Sequence, residues 1–420
     1  MLNRKQAPTI HSIDSVTTLP AELVALTPAL TVHVLRSSLQ PVLRLDVVFP
    51  AGRWYEQAEG IAHLAAKMLL EGTRKHTAAE IAEFISFYGA SISCQANADY
   101  ATLTLYCLKK HFEPLLHLVN ELLTETAFPE QEFDQQKIRT AQSIQVERQK
   151  NNYLATEALT GKIFGQNNPY KAGMQANSVE KVSLQQVKGF FRSHFLVNAA
   201  HIFIAGDVEE THLRLLHELT QETARVTEEP LYLQNPEINL SKISTANNLQ
   251  AAIQLGRSCP EPGSPEYYSL QILNEALGGY FGSRLMKNIR EDKGYTYGIF
   301  SQIVPRKHAT FWTVRTEVNS ENADKAYQEI EIEFKRLADQ PIGNEELEVV
   351  QSSLLGKFIT ERATIFDQLE WHKFLVLNNL SENFFAHYSQ AINNISAAEL
   401  QSFAKSYLSI KDWSAVIVGP

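Results

Sequence analysis

Cysteine is scarce in this chain of 420 residues, which has only Cys94, Cys107 and Cys259. An odd, sparse count gives no disulfide framework, and the spacing does not match a zinc knuckle. A reducing compartment is therefore expected. Residues 1–8 lead into no apolar stretch of the kind that forms a secretory signal. Together these absences predict a cytoplasmic location, with a periplasmic or organellar one left open.

Long apolar runs and excess positive charge are also missing. No window approaches eighteen uninterrupted apolar residues, so no membrane span is predicted. The net charge of −9 gives no electrostatic footprint for nucleic acid. The motifs G-x-x-x-x-G-K-[ST] and G-x-S-x-G are absent, which argues against a phosphate loop and a serine-hydrolase elbow. What is present is a globular composition, 44% hydrophobic and 20% charged, in a chain long enough for two domains.

An internal repeat indicates how the chain is organised. Residues 183–206 and 396–419 align without a gap, and each segment runs from a helix into an apolar stretch that ends in glycine. Each helix opens with a capping box, which starts at Ser183 in one copy and at Ser396 in the other. A gapless match with shared caps favours duplication of a half-chain unit over coincidence.

The repeat predicts where the halves divide. We assign residues 1–221 to a first domain, 222–248 to a linker and 249–420 to a second domain. The linker range is polar and contains Pro230 and Pro236. Runs of strands followed by runs of helices, rather than strict alternation, predict an α+β fold.

Hydrophobic periodicity predicts the same order of elements in both halves. In the first half we expect strands at 42–49, 91–97 and 101–108, and helices at 58–71, 77–88, 111–124 and 130–164. In the second half we expect strands at 249–255, 295–304 and 310–318. Phenylalanine-rich helices are expected to belong to the core.

The segment 60–73 is the most informative motif. Inverted zinc peptidases carry H-x-x-E-H on a helix, where both histidines bind zinc and the glutamate polarises water. Here His63 stands at the first position, but Ala66 replaces the glutamate and Lys67 replaces the second histidine. Alanine cannot act as a base, and an ammonium group repels a dication. The surrounding frame, G-x-A-H-x-x-x-x-M-L-x-x-G-T, resembles the insulinase/pitrilysin family of metallopeptidases, and its non-metal-binding subunits in particular.

The resemblance covers essentially the whole chain and implies two homologous halves, each an antiparallel-dominated mixed sheet layered with helices. It also implies a third zinc ligand about eighty residues beyond His63, in a stretch where family members have carboxylates. This chain has Gln136 and Ser143 there. Because the second histidine, the base and this carboxylate are missing together, we expect no metal in this chain and interpret His63 as an ordinary helix histidine.

The resemblance further implies a role for Arg290 and Tyr297. The family carries an arginine and a tyrosine at this spacing and uses them across a cavity from zinc. There the tyrosine donates to the oxyanion and the arginine holds a substrate carbonyl. The nearby Arg284 and Tyr295 do not match the spacing. From composition alone, the favoured explanation is a surface ion pair of Arg290 with Glu291 or Asp292 and a tyrosine half-buried on a strand; the family resemblance favours the functional role.

The leading hypothesis is therefore a catalytically incomplete subunit, inactive alone. It would supply Arg290 and Tyr297 to a homologous H-x-x-E-H subunit that holds zinc and hydrolyses a peptide substrate. In the absence of that partner, a homodimer is the alternative assembly. The alternative function is a purely structural or assembly subunit. A zinc peptidase with an unrecognised site would need a ligand set that the sequence does not offer.

Overall fold

The first half of the chain builds one mixed β-sheet. The computed structural model describes residues 19–28, 30–219, 232, 236–246 and 249–420. Six strands among these residues form the sheet in the order β1-β2-β6-β3-β5-β4. Their bounds are β1 (Glu22–Thr27), β2 (Leu30–Arg36), β3 (Val42–Phe49), β4 (Ser91–Ala96), β5 (Ala101–Leu108) and β6 (His201–Gly206). Neighbouring strands are antiparallel except β2 with β6.

The second half repeats this sheet. Its described strands lie in the order β7-β11-β8-β10-β9, and only β7 with β11 is a parallel pair. Their bounds are β7 (Leu240–Ser244), β8 (Gln250–Cys259), β9 (Ile299–Pro305), β10 (Thr310–Asn319) and β11 (Ser414–Gly419). Strands β2, β6, β3, β5 and β4 thus correspond in turn to β7, β11, β8, β10 and β9. The predicted α+β fold of two homologous, antiparallel-dominated halves is confirmed.

Helices cover both sheets. Within the described residues they are α1 (Ile61–Met68), α2 (Ala78–Phe87), α3 (Phe112–Thr124), α4 (Glu130–Glu147), α5 (Asn151–Phe164), α6 (Ala176–Lys181), α7 (Leu184–His194), α8 (Glu210–Leu215), α9 (Pro265–Asn274), α10 (Ala323–Asp339), α11 (Asn344–Thr360), α12 (Ile365–Leu377), α13 (Phe384–Asn394) and α14 (Ala397–Tyr407). Two π-helical segments, Glu275–Gly279 and Met286–Asp292, follow α9. None of the described helices has the length and apolar character needed to cross a membrane. The stretch 130–164, predicted as one helical unit, is two helices.

The two copies of the sequence repeat occupy equivalent places. Helices α7 and α14 begin after Ser183 and Ser396, whose hydroxyls accept hydrogen bonds from the backbone N–H three residues on, at 3.3 and 3.2 Å. Each helix leads into the strand, β6 or β11, that makes the parallel pair of its sheet. The local capping chemistry therefore fixes the start of the same supersecondary unit twice.

Each half covers a face of the other half's sheet with one helix. Helix α5 packs on β8 and β11, where Ile163 and Val418 belong to one buried apolar cluster. Helix α12 packs on β6 and β2, where Leu369 joins Phe203 in another cluster. The halves are thus joined by exchanged helices as well as by the chain that connects them.

The predicted linker 222–248 contains an element that the sequence did not reveal. Strand β7 lies inside this range and belongs to the second sheet, so that sheet begins before residue 249. It is an edge strand with mostly exposed side chains and therefore lacks the alternating pattern that marks a half-buried strand. Residues 222–231, 233–235 and 247–248 lie outside the described residues. The domain boundary itself stays a prediction.

Candidate functional site

Helix α1 carries the first group of predicted site residues. Gly60 precedes it with φ of 98°, a left-handed conformation that glycine adopts without steric cost. The Glu56 carboxylate accepts a hydrogen bond from the backbone N–H of Ala62 at 3.0 Å, which caps the start of the helix. Burial raises the pKa of Glu56 to about 7. The helix is therefore anchored at its first turn, and its side chains have defined directions.

The residues at the motif positions do not form a metal site. Burial, and then the ammonium group of Lys67, lower the pKa of His63 to about 4. Lys67 lies one turn further on, on the same face of the helix as His63. Ala66 is buried and has no polar atom. The half-buried imidazole therefore faces a cation where a metal site needs a second neutral imidazole.

The third predicted position lies on α4, which packs against α1. Ser143 is exposed there and offers a hydroxyl in place of a carboxylate. The Gln136 amide donates to the Glu71 carboxylate at 2.6 Å, and burial raises the pKa of Glu71. Among the described residues, no group of three or more histidine, cysteine, aspartate or glutamate side chains is placed to share a metal ion. The donor set does not fit zinc.

Arg290 and Tyr297 lie in the second half, beside β9. Arg290 belongs to the π-helical segment Met286–Asp292, which Asn288 fixes to α10 through hydrogen bonds to the carboxylates of Glu333 (2.7 Å) and Glu329 (3.0 Å). The half-exposed Arg290 guanidinium lies over the Phe281 ring, 4.4 Å from its centroid.

An ion pair between Arg290 and the neighbouring Glu291 or Asp292 is not found in the described part of the chain. The cation is thus oriented by an aromatic ring, and its donors stay available.

The loop that carries Tyr297 is fixed on both sides of that residue. Before it, the Tyr295 N–H donates to the Ile289 carbonyl at 3.0 Å. The Thr296 hydroxyl donates to the Glu317 carbonyl at 2.7 Å and accepts from the Gly298 N–H at 3.0 Å. Strand β9 begins only at Ile299, so Tyr297 is a loop residue and not the strand residue that the sequence predicted.

The Tyr297 side chain projects from this fixed loop into an open cleft. It is 94% exposed. The cleft, which we call the Tyr297 cleft, has a volume of about 620 Å³ and is lined by Asn152, Gln250, Thr296, Tyr297, Gly298, Phe300, Arg315, Thr316 and Glu317. A phenol presented in this way can donate a hydrogen bond to an incoming oxygen without first breaking an internal contact.

The two residues that did not match the spacing are already engaged. Both nitrogens of one edge of the Arg284 guanidinium donate to the Glu346 carboxylate, at 2.8 and 2.9 Å. Tyr295 packs against the core of the second half. Three neighbours of the pair were missed by the sequence reasoning: Phe281 under the guanidinium, and Phe300 and Arg315 in the cleft. Of these three, only Phe281 lies in the glycine-containing stretch shortly before Arg290, so only its contact with Arg290 could have been suspected.

The two groups of predicted residues belong to separate halves. The neighbours of α1 include α4, α7 and β4, whereas the segment Met286–Asp292 packs against α10 and β9. The first group therefore lies on the helix pair α1 and α4 of the first half. In the second half, Tyr297 lines the cleft, and Arg290 lies on the segment Met286–Asp292, outside the cleft lining.

Comparison with known protein families identifies the chain. A family model described as Insulinase (Peptidase family M16) matches residues 32–175, and one described as Peptidase M16 inactive domain matches residues 181–354. The chain belongs to the insulinase (M16) peptidase family. Because the metal motif on α1 is dismantled as well, the chain is an inactive peptidase homologue of this family.

Relatives of this insulinase-family chain include one protein named as a non-peptidase homologue and one named as a zinc protease. The chain is 23% identical over 364 residues to the Non-peptidase homolog YmxG of Helicobacter pylori, with 86% of this chain and 84% of that protein covered. It is 21% identical over 305 residues to the Uncharacterized zinc protease YmxG of Bacillus subtilis, with 72% and 74% covered.

Solved structures show the same fold. A peptidase M16 inactive domain from Pseudomonas fluorescens superposes with a TM-score of 0.86 at 21% identity, covering 95% of this chain and 98% of that one. A protease from Helicobacter pylori gives 0.85 at 17% identity, with 96% and 100% covered.

Proposed function

We propose that this chain is the non-metal-binding subunit of a two-chain insulinase-family peptidase. A homologous subunit with an intact H-x-x-E-H motif would hold zinc and the general base. One observation carries the proposal: the metal positions on α1 have lost their ligands, while Tyr297 projects into an open cleft and Arg290, seven residues earlier, has no ion pair among the described residues. Three unpaired cysteines fit a reducing location such as the cytoplasm.

In this proposal Tyr297 stabilises the tetrahedral intermediate of peptide hydrolysis. Its hydroxyl donates to the oxygen on which negative charge develops. One such donor lowers the activation free energy by about 3–4 kcal/mol. The hydrogen bonds of Thr296 and Tyr295 on either side hold the loop before substrate arrives. Less reorganisation is then needed when charge appears.

Arg290 would bind a carbonyl of the peptide backbone. Its guanidinium lies over Phe281, and the planar fork of N–H donors is not engaged in an ion pair among the described residues. Because a carbonyl is present in substrate and transition state alike, Arg290 should contribute to both. A subunit that served only assembly would have no need of an unpaired arginine and an exposed phenol on the same short segment of chain.

The test is Arg290→Ala in the reconstituted two-chain enzyme. We expect KM to rise and kcat/KM to fall, with association of the two chains unchanged. Arg290→Lys keeps the charge but loses the planar fork, so it should recover part of the loss. Lys287→Ala is the matched control, because Lys287 is an exposed cation on the same π-helical segment. Wild-type kinetics for Arg290→Ala would instead favour the purely structural subunit.

A further inference from the structure

A second cavity lies in the second half and shares two lining residues with the Tyr297 cleft. It has a volume of about 590 Å³, within the range of about 300–1,000 Å³ that is usual for ligand pockets. Helices α9, α11, α12 and α13 and strand β9 enclose it. Eight of its lining residues are aromatic: Tyr267, Phe300, Phe358, Trp371, Phe374, Phe384, Phe385 and Tyr388. We call it the aromatic cavity.

Two of the carboxylates that line the aromatic cavity are paired with cations. The buried Glu275 carboxylate forms an ion pair with Lys357 at 2.8 Å and accepts a hydrogen bond from Ser353 at 2.8 Å. Glu370 pairs with Lys373 at 3.3 Å and with Arg44. A cation that approached these two carboxylates would compete with their partners, whereas the aromatic rings of the lining offer contact surface to an apolar group.

Three of the aromatic residues that line the cavity contact one buried cation. Arg362 is only 5% exposed, and its guanidinium lies 3.3 Å from the ring centroid of Phe358, 4.1 Å from that of Trp371 and 4.3 Å from that of Phe385. Its Nη1 also donates to the Phe358 carbonyl at 2.5 Å. These contacts hold three rings in place, so an occupant does not need to order them, and preorganisation of this kind favours binding.

The aromatic cavity adjoins the Tyr297 cleft. Phe300 and Arg315 line both spaces, and they face each other as a cross-strand pair of β9 and β10. Phe300 is 56% exposed and stands at the junction. A peptide bound in the Tyr297 cleft would therefore lie next to the aromatic cavity, with Phe300 and Arg315 between the two spaces.

We propose that the aromatic cavity accepts an aromatic side chain of a peptide whose backbone lies in the Tyr297 cleft. The cavity would then select peptide substrates that carry an aromatic residue at the position bound by this subunit. The proposal rests on the proposed function for the origin of the peptide, whereas the binding itself needs neither zinc nor the partner chain.

The experiment uses the isolated full chain and isothermal titration calorimetry. The probes are two nine-residue peptides of glycine and serine, acetylated and amidated, with phenylalanine or alanine at the centre. Burial of one aromatic ring predicts that the phenylalanine peptide binds about 10- to 100-fold more tightly. Equal affinities for the two peptides would overturn the proposal.

A variant that fills the cavity locates the effect. Gln302 is an exposed lining residue on β9, so Gln302→Trp adds bulk at the cavity mouth without entering the core. It should reduce the ratio of the two dissociation constants, alanine peptide to phenylalanine peptide, to less than about twofold. Thr31→Trp, at an exposed position of β2 in the first sheet, should keep the full preference.

Far-ultraviolet circular dichroism of both variants checks that they are folded. A preference that persists in a folded Gln302→Trp variant would also overturn the proposal. Because no catalysis is measured, wild-type kinetics for Arg290→Ala would contradict the proposed function and leave this result unaffected.

Discussion

The ion pair between Asp46 and Lys373 should be the strongest single electrostatic link between the two halves. Asp46 on β3 is fully buried, and Lys373 on α12 is nearly so. Their charged atoms lie 2.8 Å apart. The Asp46 carboxylate also accepts from Arg44 at 3.2 Å and from the Thr104 hydroxyl at 2.7 Å. It therefore holds three partners, one of which comes from the other half.

Removing the charge of either partner should have unequal effects. Asp46→Asn leaves the buried Lys373 with only Glu370, whose side chain is 52% exposed, so we expect a loss of about 3–5 kcal/mol in the free energy of unfolding. Lys373→Met leaves Asp46 with Arg44 and Thr104, so a loss of about 1.5–3 kcal/mol is expected. The double variant should lose less than the sum, with a coupling of about 0.5–3 kcal/mol.

Urea unfolding, followed by tryptophan fluorescence and far-ultraviolet circular dichroism, measures these free energies. Hydrogen exchange of the α12 amides reports whether this helix loosens from the first sheet. Lys242→Met is the matched control, because its ion pair with Asp324 at 2.6 Å is exposed, and a change of about 0–1 kcal/mol is expected. Strict additivity, or a loss below about 1 kcal/mol for Asp46→Asn, would refute the reasoning.

Three further outcomes follow from the titratable groups and the α1 positions. Burial, together with the neighbouring His372, lowers the pKa of His33 to about 4 from an ordinary value of 6.5. The folded state therefore favours neutral His33, and this contribution to the free energy of unfolding is present above pH 6.5 and is lost as the pH falls from 6.5 towards 4. In urea titrations, His33→Gln should make the free energy of unfolding fall less over this pH range. Glu56 has the opposite sign: its raised pKa of about 7 means that stability is lost as pH rises from 4.5 to 7, so Glu56→Gln should gain more stability at pH 8 than at pH 5. The purified chain should hold no stoichiometric zinc; one zinc per chain by elemental analysis, lost in His63→Ala, would contradict the assignment.

The sequence predicted those parts of the fold that local chemistry decides. The capping boxes at Ser183 and Ser396 act within one helical turn, so they identified the repeated unit correctly. Strand β7 was missed because its side chains are mostly exposed. The exchange of α5 and α12 could not be predicted, because an apolar face shows that a helix is buried but does not show against which sheet.

The candidate site was predicted in its residue types but not in its surroundings. The spacing of the motifs led to His63, Arg290 and Tyr297, because members of one family carry such residues at similar positions along the chain. The stacking of Arg290 on Phe281 depends on tertiary approach and has no fixed spacing. The phenylalanine-rich helices do contribute buried core residues, among them Phe358, Phe384 and Phe385. The same rings also line a cavity, which periodicity alone does not indicate.

The central claim is that this chain supplies Tyr297 to a zinc-binding partner, and kcat of the reconstituted pair with Tyr297→Phe tests it most directly. The substitution removes only a hydroxyl from a side chain that is 94% exposed, so folding and association should not change. We predict that kcat falls by about 10²–10³, the usual effect of losing one oxyanion donor. Tyr295→Phe, two residues away and packed against the core, should keep the wild-type rate. A wild-type kcat for Tyr297→Phe at equal concentration of the complex would contradict the claim.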